Sequence, residues 1–209
     1  MRNSFKVGTI GGINIYVNYT WLIAVAFLTW SLGDYYATTF AGWSQGTAYV
    51  LGAVSAILLF VTVLIHELSH SFTARARGLP VHEITLFIFG GVSSLTREPD
   101  TPRTELLVAV AGPLASLALS GIFFLLHALT GGGPSEVSAV LGYLASVNLI
   151  LALFNLVPGF PLDGGRVLRA TVWQITGNFR RATRIATSAG QGIGYLFLIA
   201  HGWFSPCSL

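Results

Sequence analysis

The chain has 209 residues, 53% of them hydrophobic and only 9% charged, with a mean hydropathy of +0.70. Soluble domains carry about 25% charged residues. This composition excludes an ordinary soluble domain and points to a polytopic membrane protein, with residues 1–209 forming one membrane-embedded core and no soluble accessory domain. The net charge of +3 comes with no dense basic and aromatic cluster, which excludes nucleic acid as a partner, and the single Cys207 excludes an intrachain disulfide.

Arg2 and Lys6 are followed by a polar, Gly-rich stretch without a clear cleavage site, so the first apolar segment reads as a retained span. Phe5 to Ile10 and Ile13 to Val17 flank Gly11-Gly12, and Ile13, Ile15 and Val17 alternate with polar residues, which predicts a β-hairpin. Apolar spans are expected at about 19–35, 47–76, 105–129, 137–157 and 182–203. The second is too long for one crossing, so its last turns, with Arg75 and Arg77, emerge on the far side. Gly78-Leu79-Pro80 ends it, and Ile84–Phe89 reads as a strand broken by Gly90-Gly91. Strand edges do not face lipid, so this segment is covered by protein or lines a wet cavity. Small residues around Pro113 (Ala111, Gly112, Ala115, Ser116) and Gly190, Gly192 and Gly194 in the last span suit close helix packing. A short amphipathic helix from Arg166 to Ile175 is expected at the interface. The fold class is therefore an all-α membrane bundle of about five to six spans with a small β-sheet at one side.

Five crossings place all 11 Lys and Arg residues on one side, which the positive-inside rule makes the cytoplasm. The N-terminus and the inner end of the second span would share that side.

At that inner end the apolar run passes directly into His66-Glu67-Leu68-Ser69-His70. In a helix His66 and His70 lie one turn apart on one face, the spacing at which two imidazoles hold one Zn²⁺, with Glu67 beside them as general base toward an activated water. A carboxylate near a bilayer centre costs about 2.5–3.5 kcal/mol on insertion scales. A structural zinc site contributes about 10–16 kcal/mol, enough to offset it.

A catalytic zinc takes a third protein ligand. Topology leaves His82, Glu83, Glu98, Asp100, Glu105 and Asp163 as inner candidates. Asp163 is the best placed, directly after the fourth span, between Pro158 and Pro161 on one side and Gly164-Gly165 on the other. Its competing role is an N-cap for the following helix. Asn148 and Asn155, seven residues apart, share a face of the fourth span leading toward Asp163. Either can serve an interhelical hydrogen bond, and Asn155 lies near enough to the metal end to bind substrate backbone or a developing oxyanion.

These residues together resemble the site-2 protease family of intramembrane zinc metalloproteases. The resemblance rests on His66-Glu67-Leu-Ser-His70, on Phe89-Gly90-Gly91-Val92, on Ala111-Gly112-Pro113 and on Asn155-Leu-Val-Pro158-Gly-Phe-Pro161-Leu162-Asp163-Gly164-Gly165, and it spans Phe5 to about Gly194. It implies His66, His70 and Asp163 as ligands of one zinc, Glu67 as the catalytic residue and Asn155 beside the active site. It also implies that the Gly90-Gly91 strand holds an unwound transmembrane substrate by edge pairing. Family members often carry a PDZ module or a CBS pair, neither of which fits here, and usually a sixth span, so the resemblance implies either a truncated core or a reduced member. Two rival readings from the residues are a zinc-binding membrane scaffold without activity and a membrane zinc transporter. Glu67 opposes the first, and the scarcity of polar residues in the outer half of the bundle opposes the second.

Overall fold

The computed structural model describes residues 4–88, 90–95, 97–133 and 135–204. Arg2, Phe89 and Cys207 lie outside them. Strand β1 (Ser4–Ile10) and strand β2 (Ile13–Asn18) form the expected hairpin, with Gly11 and Gly12 at φ 55° and 78°, the left-handed pair a two-residue primed turn requires. Helices α1 (Tyr19–Thr39) and α2 (Gln45–Ala76) follow. Strand β3 (Val81–Phe87) then pairs parallel to β2, so the α1–α2 pair is the crossover that a parallel pairing needs. Strand β4 (Gly90–Leu95) pairs antiparallel to β3 and forms one edge of a sheet ordered β1-β2-β3-β4.

The sheet rests on the C-terminal part of α2. Ile13, Ile15 and Val17 are buried in strict alternation, and the first two pack with Ile84 against Leu68 and Leu64. Leu64 and Leu68 flank His66, so the period-2 pattern of β2 seats the sheet on the turn that carries the histidines. A second cluster, Ala74, Leu79, Val81 and Val108, joins the end of α2 to β3 and to helix α3 (Pro102–Leu129).

Helix α4 (Glu136–Asn155) returns alongside α3, and helix α5 (Asp163–Thr176) and helix α6 (Phe179–Phe204) complete the chain. Among the described residues, α2, α3 and α4 are long and apolar enough to cross a membrane. Three spans on this criterion is fewer than the five to six expected from sequence. The model is mostly helical with one small four-stranded sheet.

Helices approach closely where glycine removes the side chain. A Cβ on Gly52 of α2 would stand 2.7 Å from the Thr29 carbonyl of α1, and one on Gly33 would stand 2.5 Å from the Tyr49 ring. Gly190 of α6 packs against the backbone of Gly159 and Phe160. A Cβ on Gly192 or Gly194, also expected to serve close packing, would meet no described residue within 4 Å.

Candidate active site

His66 and His70 face α3 from the same side of α2, both buried. The Nδ1–H of His70 donates to the Val108 carbonyl at 2.6 Å. A carbonyl only accepts, so this bond fixes the tautomer and leaves Nε2 as a bare lone pair. His66 Nδ1 lies 2.9 Å from the hydroxyl of the buried Ser116. Both ring orientations are thus set from α3.

The two Nε2 atoms are 3.1 Å apart, and Asp163 Oδ2 lies 3.2 Å from one and 3.1 Å from the other. Zinc bonds of about 2.0–2.2 Å in tetrahedral geometry place ligand atoms about 3.3–3.6 Å apart. The triangle of donor atoms therefore matches a metal ion in size. The donor set matches as well, with two imidazole nitrogens and one carboxylate oxygen converging in a shielded place. Gly112 makes room for it, because a Cβ there would stand 2.6 Å from His66 Nε2 and closer still to His70 Nε2. Among the described residues this is the one cluster of three or more His, Cys, Asp or Glu that could hold a metal.

Asp163 is the first residue of α5. The N-cap position is Leu162, which makes no side-chain capping bond, and the Asp163 carboxylate turns instead to the histidines. Gly164 and Gly165 serve a different purpose from the backbone freedom expected of them. Both are helical, and a Cβ on either would run into the backbone of residues 156–160. They let α5 start hard against the loop that leaves α4.

A cavity of about 380 Å³ opens beside the donor triangle, lined by Glu67, Gly90, Gly91, Asn155 and Arg166 among others. Glu67 follows His66 in sequence and so is turned about 100° from it, toward the cavity. Gly91 lies directly over it, where a Cβ would stand 2.5 Å from Glu67 Cγ. Asn155 donates to the Leu151 carbonyl at 3.0 Å and sits on the cavity wall. Asn148 does not line the cavity. It is buried inside the bundle, donates to the Leu144 carbonyl at 2.8 Å, and its Oδ1 has no partner among the described residues.

The remaining inner candidates lie elsewhere. Glu105 is fully buried and paired with Arg169, Asp100 pairs with Arg97, and His82 is exposed on β3. The sequence reading assigned no role to Val108, Ser116 or Arg166 at this site. Ser116 was visible only as a small residue of α3, and Gly112 as part of the Ala111-Gly112-Pro113 motif. Their relation to the imidazoles depends on the register of α3 against α2.

The model of peptidase family M50 matches residues 54–134 and 132–200. The chain belongs to peptidase family M50. A Synechocystis protein assigned by name to the zinc metalloproteases is 46% identical over 94% of this chain and 51% of its own length. The zinc metalloprotease MJ0392 of Methanocaldococcus jannaschii is 32% identical over 95% of this chain and 54% of its own. The chain thus spans about half the length of these curated relatives. The solved site-2 protease from Methanocaldococcus jannaschii superposes with a TM-score of 0.62 at 28% identity, covering 94% of this chain and 83% of that one. This M50 chain therefore has the site-2 protease fold.

Proposed function

We propose that this M50 chain is an intramembrane zinc metalloprotease that hydrolyses a peptide bond in or near a transmembrane helix of another membrane protein. The observation that carries this reading is the convergence of His66, His70 and Asp163 beside Glu67, at the inner end of an apolar helix. His66, His70 and Asp163 would hold the zinc. The Lewis acidity of a bound zinc would make water a nucleophile at neutral pH and polarise a carbonyl. Glu67 takes the proton from that water and returns it to the leaving amine. Asn155 binds substrate backbone from the cavity wall.

The open edge of β4, at Gly90 and Gly91, takes an unwound substrate segment as an added strand. Unwinding comes first, because helix carbonyls are already bonded internally. Residues 1–209 act as one membrane core. The helices α1 and α6 join α2, α3 and α4 as further crossings, and the basic residues put the site at the cytoplasmic side.

The test is Glu67→Gln, which keeps size and hydrogen bonding but removes the base. With a labelled transmembrane peptide in detergent, turnover should fall by about 10²–10⁴-fold at unchanged zinc content. A variant that cleaves as fast as the wild type would exclude Glu67 as the base.

A further inference from the structure

Helix α5 presents two arginines to the same region of the protein, with opposite fates. Arg169 is consumed by the fold. Its Nε donates to Glu105 Oε1 at 2.6 Å and a second nitrogen reaches the same carboxylate. The Phe160 and Phe179 rings flank its guanidinium at 5.1 and 4.8 Å. Arg166, one turn earlier, makes no hydrogen bond or ion pair to any described residue, yet it is half-buried and lines the cavity with Glu67 and Asn155. A guanidinium carries five donors, and those of Arg166 open onto the cavity with no described residue taking them up. The spacing of three residues puts Arg166 on the same face of α5 as Asp163. Its charge lies in the field of Glu105, Asp163 and Glu67.

From this placement we infer that Arg166 is a further catalytic residue, whose guanidinium donates to the substrate carbonyl oxygen as it becomes an oxyanion. The inference rests on the protease reading above. In the addition step the water oxygen bonds to the carbonyl carbon and the carbonyl π pair moves onto its oxygen. The water proton passes to Glu67. Collapse then breaks the C–N bond, and the proton leaves with the amine. Negative charge thus moves from Glu67 to the substrate oxygen within one cavity. Arg166 faces a carboxylate before the step and an oxyanion after it, so its interaction grows where the charge develops. Asp163 turns Oδ2 to the two imidazoles and makes no ion pair with Arg166 among the described residues.

The test compares wild type, Arg166→Gln and Arg166→Lys as zinc-loaded protein in detergent. One probe is a dileucine phosphinate, a tetrahedral anion. The other is its uncharged ketomethylene isostere. Calorimetry should show that the wild type prefers the phosphinate, that Arg166→Gln loses about 10²-fold of that preference, and that the isostere binds all three proteins alike. Arg166→Lys should recover part of the preference, because charge returns without the fork. On a cleaved transmembrane peptide, kcat should fall by about 10²–10³-fold in Arg166→Gln with KM little changed. Zinc content should match the wild type. An undiminished phosphinate preference in Arg166→Gln would overturn the assignment and leave the protease reading standing. Loss of zinc from that variant would make Arg166 a structural residue and also overturn it. A wild type that neither prefers the phosphinate nor cleaves any peptide would remove the protease reading and this inference with it.

Discussion

Two histidines in this protein make nearly the same local bond, and only one of them belongs to a metal cluster. His70 donates Nδ1–H to the Val108 carbonyl at 2.6 Å, and His127 places Nδ1 2.9 Å from the Ser138 carbonyl. His127 lines a cavity of about 590 Å³ at the opposite end of the bundle, larger than the one beside His70. Its neighbours there are Tyr35, Tyr36, Tyr143 and serine hydroxyls, with no carboxylate and no second imidazole among the lining residues. Orienting one imidazole is common. What distinguishes the His70 end is that α2 supplies a second imidazole one turn away, and α5 begins with a carboxylate aimed at both. Cavity size does not locate the chemistry, whereas the convergence of unlike donors does.

The contrast can be broken most severely at Gly112. Gly112→Ala drives a methyl between the two Nε2 atoms. Turnover and zinc should both be lost while the protein still inserts, as read by elemental analysis and a cleavage assay. Normal zinc in this variant would mean that the donor triangle is not the binding site.

Next in size is the clamp that holds α5 to α3. Glu105 is 0% exposed and its partner Arg169 is 8% exposed. Glu105→Ala strands a buried guanidinium, which typically costs about 3–5 kcal/mol. Thermal unfolding in detergent should drop accordingly, and zinc should bind more weakly because Asp163 begins the same helix. An unchanged unfolding temperature would show that the pair does not position α5.

A smaller effect is expected at Gly91, whose missing Cβ makes space for Glu67. Gly91→Ala should displace that carboxylate and lower kcat by about 10²-fold, the cost of a misplacement near 1 Å, with zinc content retained. Full turnover would show that Glu67 can shift without consequence.

The smallest change belongs to the His127 end. His127→Ala removes bonds to Ser138 and should cost about 1 kcal/mol of stability, leaving zinc and turnover as in the wild type. A loss of turnover there would show that the two ends are coupled.

Much of this was legible in the sequence because it depends on local periodicity. The hairpin follows from Ile13, Ile15 and Val17 around a Gly-Gly turn, and the α2 histidines share a face through their four-residue spacing. The long helices follow from apolar length, with ends within a few residues of those expected. The number of crossings was less legible. Among the described residues α2, α3 and α4 have the length and apolarity of a crossing, and α1 and α6 are not among them. Asp163 stood out as one of six acidic or histidine candidates only through topology and its motif. Contacts that depend on the register between helices were out of reach. Val108 and Ser116 meet the imidazoles because α3 crosses α2 at one particular height, and the sequence of α3 looks equally apolar above and below it. The same holds for the two arginines of α5. Only the packed structure tells Arg169, closed onto Glu105, from Arg166, open to the cavity.

The central claim is that zinc sits between two helices, held by two ligands from α2 and one from α5. The most direct measurement is the zinc content of purified wild type and Asp163→Ala, by elemental analysis after dialysis. The account predicts about one zinc per chain in the wild type and loss of both zinc and cleavage in the variant. One tightly held zinc per chain in Asp163→Ala, with wild-type turnover, would contradict it.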